Sequence, residues 1–157
     1  MRHFTISEFI KSDTAIKKRV WNGANREQEN NLIALVAAVL DPLREKYGKP
    51  IIVTSGYRNI TINKSIGGAV TSQHTKGEAA DIVGFDGSPE ENLKLGKMIV
   101  EMGNFDQIIF EDVSKNSLNP KWIHVSWKRQ GDNRHVILKK MKGTNSYLTV
   151  TRKELGL

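Results

Sequence analysis

The chain predicts an α+β fold: a largely antiparallel sheet with helices on one face. Three observations lead there. Leu32, Leu35, Val36, Val39, Leu40 and Leu43 recur at three- and four-residue spacing within residues 27–47, which makes one apolar helical stripe. Trp122-Ile123-His124-Val125-Ser126-Trp127 alternates residue by residue, the period of a half-buried strand. The strand-like runs after residue 50 are short and enclose a single helical segment. Helices and strands then form separate layers, each covering the apolar side of the other.

The elements follow in order. Residues 5–10 read as a short helical turn with Ser7 as its N-cap. The long stripe comes next; Pro42 kinks or splits it, and Gly48 stops it. Strands are expected at residues 51–54 and 79–83. Ser88-Pro89-Glu90-Glu91 opens a helix with a cap, a proline at the first helical position and an acid three residues on. That helix runs to about Met102 and stops at Gly103. Strands at 107–110, 122–127 and 136–139 follow, with 147–150 as a last edge strand and 152–157 as a short tail. No linker, repeat or low-complexity tract breaks the chain, and 157 residues suffice for one core, so residues 1–157 read as a single domain.

The chemistry concentrates in Ser72-Gln73-His74-Thr75-Lys76-Gly77-Glu78-Ala79-Ala80-Asp81 and, downstream, Trp122-Ile123-His124. Together they supply two imidazoles and one carboxylate. Such a set binds zinc and leaves a fourth position for water, the arrangement of a catalytic site; structural zinc is closed by four protein ligands. The chain has no cysteine, so the usual thiolate site is excluded. The seven-residue step from His74 to Asp81 is about two helical turns, but Thr75-Lys76-Gly77 reads as a turn and residues 79–83 as a buried strand. His74 therefore belongs on a loop, and Asp81 on a strand entering the core. A carboxylate there needs a cation or several donors. On the alternating strand, Trp122, His124 and Ser126 share one face.

The pattern Ser-x-His-x-x-Gly-x-Ala-x-Asp with a later Trp-x-His, preceded by Ile51-Ile52-Val53-Thr54-Ser55-Gly56-Tyr57-Arg58, closely resembles the zinc peptidases of the M15 type. These include D-alanyl-D-alanine carboxypeptidases and dipeptidases and the phage L-alanyl-D-glutamate endolysins, and the hedgehog signalling domain shares their zinc-binding fold. The resemblance covers about half the chain. It implies a zinc cofactor held by His74, Asp81 and His124, and hydrolysis of peptide bonds in peptidoglycan stem peptides by a zinc-activated water. It also implies that Arg58 faces the substrate, with Ser72 close to it. Arg58 carries a fixed charge and a forked donor array; it either holds the substrate's C-terminal carboxylate or stabilises the tetrahedral intermediate.

The general base departs from the family pattern. Many members carry an acid three residues before the second histidine, where this chain has Lys121. The next acids upstream are Glu111 and Asp112, ending the apolar run 105–110. A hairpin longer than the family's places Glu111 in the role, with Asp112 as the alternative. His3 and His135 read as surface or structural residues, Trp122 and Trp127 as packing residues, and Glu78 as solvent-facing. Ser72 serves equally well as a cap for its loop.

Composition bounds the partners. Hydrophobic residues at 38% and charged residues at 26% fit an ordinary globular protein and exclude a disordered one. The formal net charge of +7 favours polyanions; the zinc motif points to the cell wall. No basic run interleaves with aromatics, which argues against nucleic acid. The start lacks the apolar stretch of a secretion signal, and nothing approaches a membrane span of about 20 residues. A monomer made in the cytoplasm and released to the wall, as a phage or prophage lysin is, fits these readings. The alternative is a non-catalytic zinc-containing module that binds the wall, which the substitution at Lys121 favours.

Overall fold

The computed structural model describes all 157 residues. Helix α1 (Ile6–Ile10) is capped by Thr5, not Ser7. Glu8 Oε1 accepts from the Thr5 backbone N–H at 2.8 Å, so the acid three residues on selects the cap and leaves Ser7 inside the helix. Helix α2 (Asp13–Lys18) follows. The long apolar stripe becomes three joined pieces: α3 (Arg26–Leu35), a π-helical turn (Val36–Leu40) and α4 (Asp41–Tyr47). Pro42 sits in the first turn of α4, and the π turn absorbs the donor that proline lacks. The rod is broken without losing its buried face. Gly48, at φ 72°, closes α4 by donating to the Arg44 carbonyl.

Strand β1 (Ile52–Ser55) leads through Arg58 to helix α5 (Ile60–Ser65), a one-turn 3₁₀ helix (Gln73–Lys76) and strand β2 (Ala79–Val83). Helix α6 (Pro89–Met102) starts at Ser88, whose hydroxyl accepts from the Glu91 backbone N–H, and ends at Gly103. Strands β3 (Gln107–Val113), β4 (Trp122–Ser126), β5 (Val136–Met141) and β6 (Tyr147–Thr149) complete the chain.

The six strands lie in the order β1-β2-β4-β3-β5-β6. The sheet is mixed: β5 runs parallel to β3, whereas the other four junctions are antiparallel. The cause is the return path after β4. Residues 127–135 carry the chain back to the start of β3, where Arg134 N–H donates to the Asp106 carboxylate and Val136 N–H to the Asp106 carbonyl. From that start β5 can only run beside β3 in the same direction. The expectation of helices on one face is also too simple, since the 3₁₀ turn lies on the side of the sheet that carries Asp81 and His124.

Alternation sorts the sheet. Ala80, Ile82, Ile108, Phe110, Ile123 and Val125 are fully buried and join a cluster of 24 apolar residues with α3, α4 and α6. Asp81, Ile109, Glu111 and His124 point the other way. The same cluster includes Phe4, Val150 and Leu155, so the tail packs into the core. No helix is long and apolar enough to cross a membrane.

Candidate metal centre and active-site cleft

One row of register partners crosses the sheet: Ser55 on β1 faces Asp81 on β2, which faces His124 on β4, which faces Ile109 on β3. This row sets two of the three donor groups side by side. The third arrives from the 3₁₀ turn. His74 is brought over the row by four ties. The Arg58 N–H donates to the His74 carbonyl, and the Glu78 N–H to the Gln73 carbonyl. From α3, Gln28 Nε2 donates to the Thr75 carbonyl and Asn31 Nδ2 to the Lys76 carbonyl. Gly77 ends the turn at φ 73° with its Cα against α3. An added Cβ would lie 2.4 Å from the Gln28 carbonyl oxygen, so both conformation and space require glycine there.

His74 Nε2, Asp81 Oδ1 and His124 Nδ1 converge. The separations are 3.1 Å between the two nitrogens, 3.0 Å from Oδ1 to His124 and 3.3 Å from Oδ1 to His74. Donors at the roughly 2.0–2.1 Å zinc distance in a tetrahedral site stand about 3.3 Å apart, so the set fits a single small cation. The tautomer agrees. His74 Nδ1 lies 2.7 Å from the Gly56 carbonyl, which can only accept. Nδ1 therefore carries the proton, and Nε2 presents its lone pair to the centre. Burial pushes the His74 pKa down and favours the neutral, metal-binding form. Burial pushes Asp81 up, but the adjacent His74 and His124 outweigh it and hold the carboxylate well below its usual range.

The centre opens into a cleft of about 830 Å³. Arg58, Ser72, Glu111 and Trp122 line it together with the three donors; Asp112 does not. Glu111 is paired with Trp122 at the end of the β3–β4 ladder, two residues from the partner of His124. The neighbouring strand thus brings a carboxylate beside the centre, although position 121 holds an exposed lysine. Burial raises the Glu111 pKa, with Lys140, 4.0 Å away, acting in the opposite direction. Glu111 Oε2 and Arg58 Nε are buried without a hydrogen-bond partner, and both belong to the cleft. Ser72 is the N-cap residue of the 3₁₀ turn but its hydroxyl makes no capping bond; a capping role for its side chain is therefore ruled out.

The solvent-facing expectation for Glu78 is revised, while His135 is a surface residue as expected. Glu78 is partly buried and lines the cleft, as does Trp122. His135 stands apart, its ring edge-on to Phe105 at 5.5 Å. The sequence reading missed Gln73, Lys128, Arg134, Lys140 and Tyr147, which also line the cleft. The last four lie at or beyond the return path, and no local pattern marks them before the parallel pairing of β5 is known.

The comparisons with known proteins follow the same lines. A family model described as Peptidase M15 matches residues 2–126. A 44-residue stretch is 46% identical to the zinc D-Ala-D-Ala carboxypeptidase of Streptomyces albus G, covering 27% of this chain and 17% of that protein. The alignment thus spans about one-sixth of that relative's length. With residues 2–126 matched, donors and cleft acid included, the chain belongs to the M15 peptidase family.

Proposed function

We propose that the protein is a zinc-dependent peptidase that hydrolyses peptide bonds in peptidoglycan stem peptides. The observation that carries this reading is the convergence of His74 Nε2, Asp81 Oδ1 and His124 Nδ1 in a cleft that also holds a buried Glu111 oxygen with no hydrogen-bond partner. Zinc held by those three donors supplies Lewis acidity toward a carbonyl oxygen and lowers the pKa of a water to about 7.

The chain's own residues do the rest. Glu111 takes the proton of the attacking water and returns it to the leaving amine, a general-base contribution of roughly a hundred- to ten-thousand-fold. Its raised pKa suits a group that must both accept and release a proton. Arg58 lines the cleft and offers its guanidinium to substrate, either at a carboxylate or at the developing oxyanion. Ser72, with its hydroxyl free of capping, contacts the substrate backbone. Asp81 stays ionised and keeps the two imidazoles in place.

Digestion of purified sacculi by metal-stripped and zinc-restored protein, read by mass spectrometry, tests the reading. Zinc-dependent release of free D-alanine identifies a carboxypeptidase, and separated stem peptides an endopeptidase. Folded, zinc-loaded protein that yields no product from several wall types sinks the peptidase reading in favour of a wall-binding module.

A further inference from the structure

Asp106 is fully buried beneath one end of the cleft. Its Oδ1 accepts from the Arg134 backbone N–H at 2.9 Å and lies 3.3 Å from Lys128 Nζ; its Oδ2 accepts from Gln73 Nε2 at 3.0 Å and from Arg134 Nη2. One carboxylate therefore fixes two cations and the residue next to His74. Both cations line the cleft, and the Arg134 side chain is half exposed. Arg134 gives its Nε and Nη2 edge to Asp106, which leaves Nη1 and the remaining Lys128 protons for a ligand. Lys76 and Glu78 also line this end of the cleft, and Glu78 interacts with Asp106 and Lys128, so three cations face two anions and a single excess positive charge remains.

We propose that Lys128 and Arg134 form a subsite for a carboxylate of the substrate, set apart from the bond that is cleaved. Ser126, level with this end of the cleft, is two residues from His124 on β4, about 7 Å, and Lys128 is two residues further. A peptide extended along the cleft advances about 3.3 Å per residue. The recognised carboxylate then lies roughly two to four residues from the cleaved bond. The inference rests on the peptidase reading for the peptide nature of the ligand. Both residues lie beyond the stretch matched to the family, which ends at residue 126.

Isothermal titration of the metal-stripped full chain, which cannot turn over, tests it with three synthetic peptides. These are L-Ala-γ-D-Glu-L-Lys-D-Ala-D-Ala, its twin amidated at the glutamyl carboxylate and its twin amidated at the C-terminus. The expected result is at least tenfold weaker binding of one amidated twin, which also tells which carboxylate is read. That difference disappears in Lys128→Gln and in Arg134→Gln; if the latter fails to fold, Lys128→Gln decides. Equal affinity for the three peptides, binding of none, or full discrimination retained by the folded variants overturns the proposal. Sacculus cleavage without discrimination removes this subsite alone, whereas discrimination without cleavage keeps the subsite and removes the peptidase reading.

Discussion

Asp81 and His124 are cross-strand partners on β2 and β4, with Asp81 Oδ1 3.0 Å from His124 Nδ1. Their spacing is set by backbone pairing and so does not depend on a metal to hold it. The centre is preorganised, and removing one donor leaves the other two in place. Asp81→Asn and His124→Ala are expected to fold, while bound zinc, measured by atomic emission after dialysis, falls from one per chain to a small fraction.

Metal removal should cost stability by mass action alone. Zinc at a hundred times its dissociation constant contributes about 2.7 kcal/mol. For a chain of this size that is roughly 5–10 °C in Tm. Calorimetry with and without chelator checks it; an unchanged Tm would mean that the native state gains nothing from zinc.

Glu111→Gln should lower kcat about a hundred- to ten-thousand-fold with zinc content unchanged, and Asp112→Asn should leave kcat within about twofold. The acid limb of kcat/KM follows from the same residue. A base works when deprotonated, so the limb should follow the Glu111 carboxyl, which burial raises and neighbouring cations, a bound metal included, lower. Lys140 acts to lower Glu111, hence Lys140→Ala should move the limb to higher pH. A limb that stays put would remove Glu111 from the role.

Gly77→Ala tests the turn that carries His74. A Cβ at φ 73°, 2.4 Å from the Gln28 carbonyl oxygen, must push the turn off α3. The expected cost is about 1–3 kcal/mol, with weaker zinc binding. Gly48→Ala serves as a control: its φ is similar but nothing lies within 4 Å, so it should lose stability and keep its zinc affinity.

Asp106 predicts the acid branch of the stability curve. Burial raises this carboxyl, but its bonds to Arg134 and Gln73 outweigh that and hold it well below the usual range. Its contribution is therefore present above the unfolded value near 3.9 and is lost as pH falls below it. Asp106→Asn weakens the buried hydrogen bonds to Arg134 and Gln73 while the half-exposed Arg134 regains water, and should cost about 1–3 kcal/mol. The difference between the wild-type and variant unfolding free energies should narrow below pH 4.

Much of the site was legible because its residue types are rare in combination and its strands alternate cleanly. His74, Asp81 and His124 could be named from their residue types, order and family resemblance, and they do come together; β2 could be located from its apolar run. The broken helix was legible too, because proline within an apolar stripe admits few outcomes. Helices α2 and α5 were missed: each spans only six residues, and neither shows a sustained apolar period. The pairing of β5 was not legible for a different reason. It depends on a turn anchored by Arg134 to Asp106, 28 residues earlier, and no window of sequence contains both partners. The residues β5 brings to the cleft were lost with it.

The return path after β4 therefore divides the protein's labour along its length. His74, Asp81, Glu111 and His124 are all encoded before residue 127, while Lys128, Arg134, Lys140 and Tyr147 come after it, on a flap of chain attached to the far side of β3. On the proposed reading, reactivity and taste are written in separate passages. Exchanging the later passage between relatives should then retune which peptides are accepted while keeping the three donors and Glu111, with the acid limb moving where Lys140 is replaced.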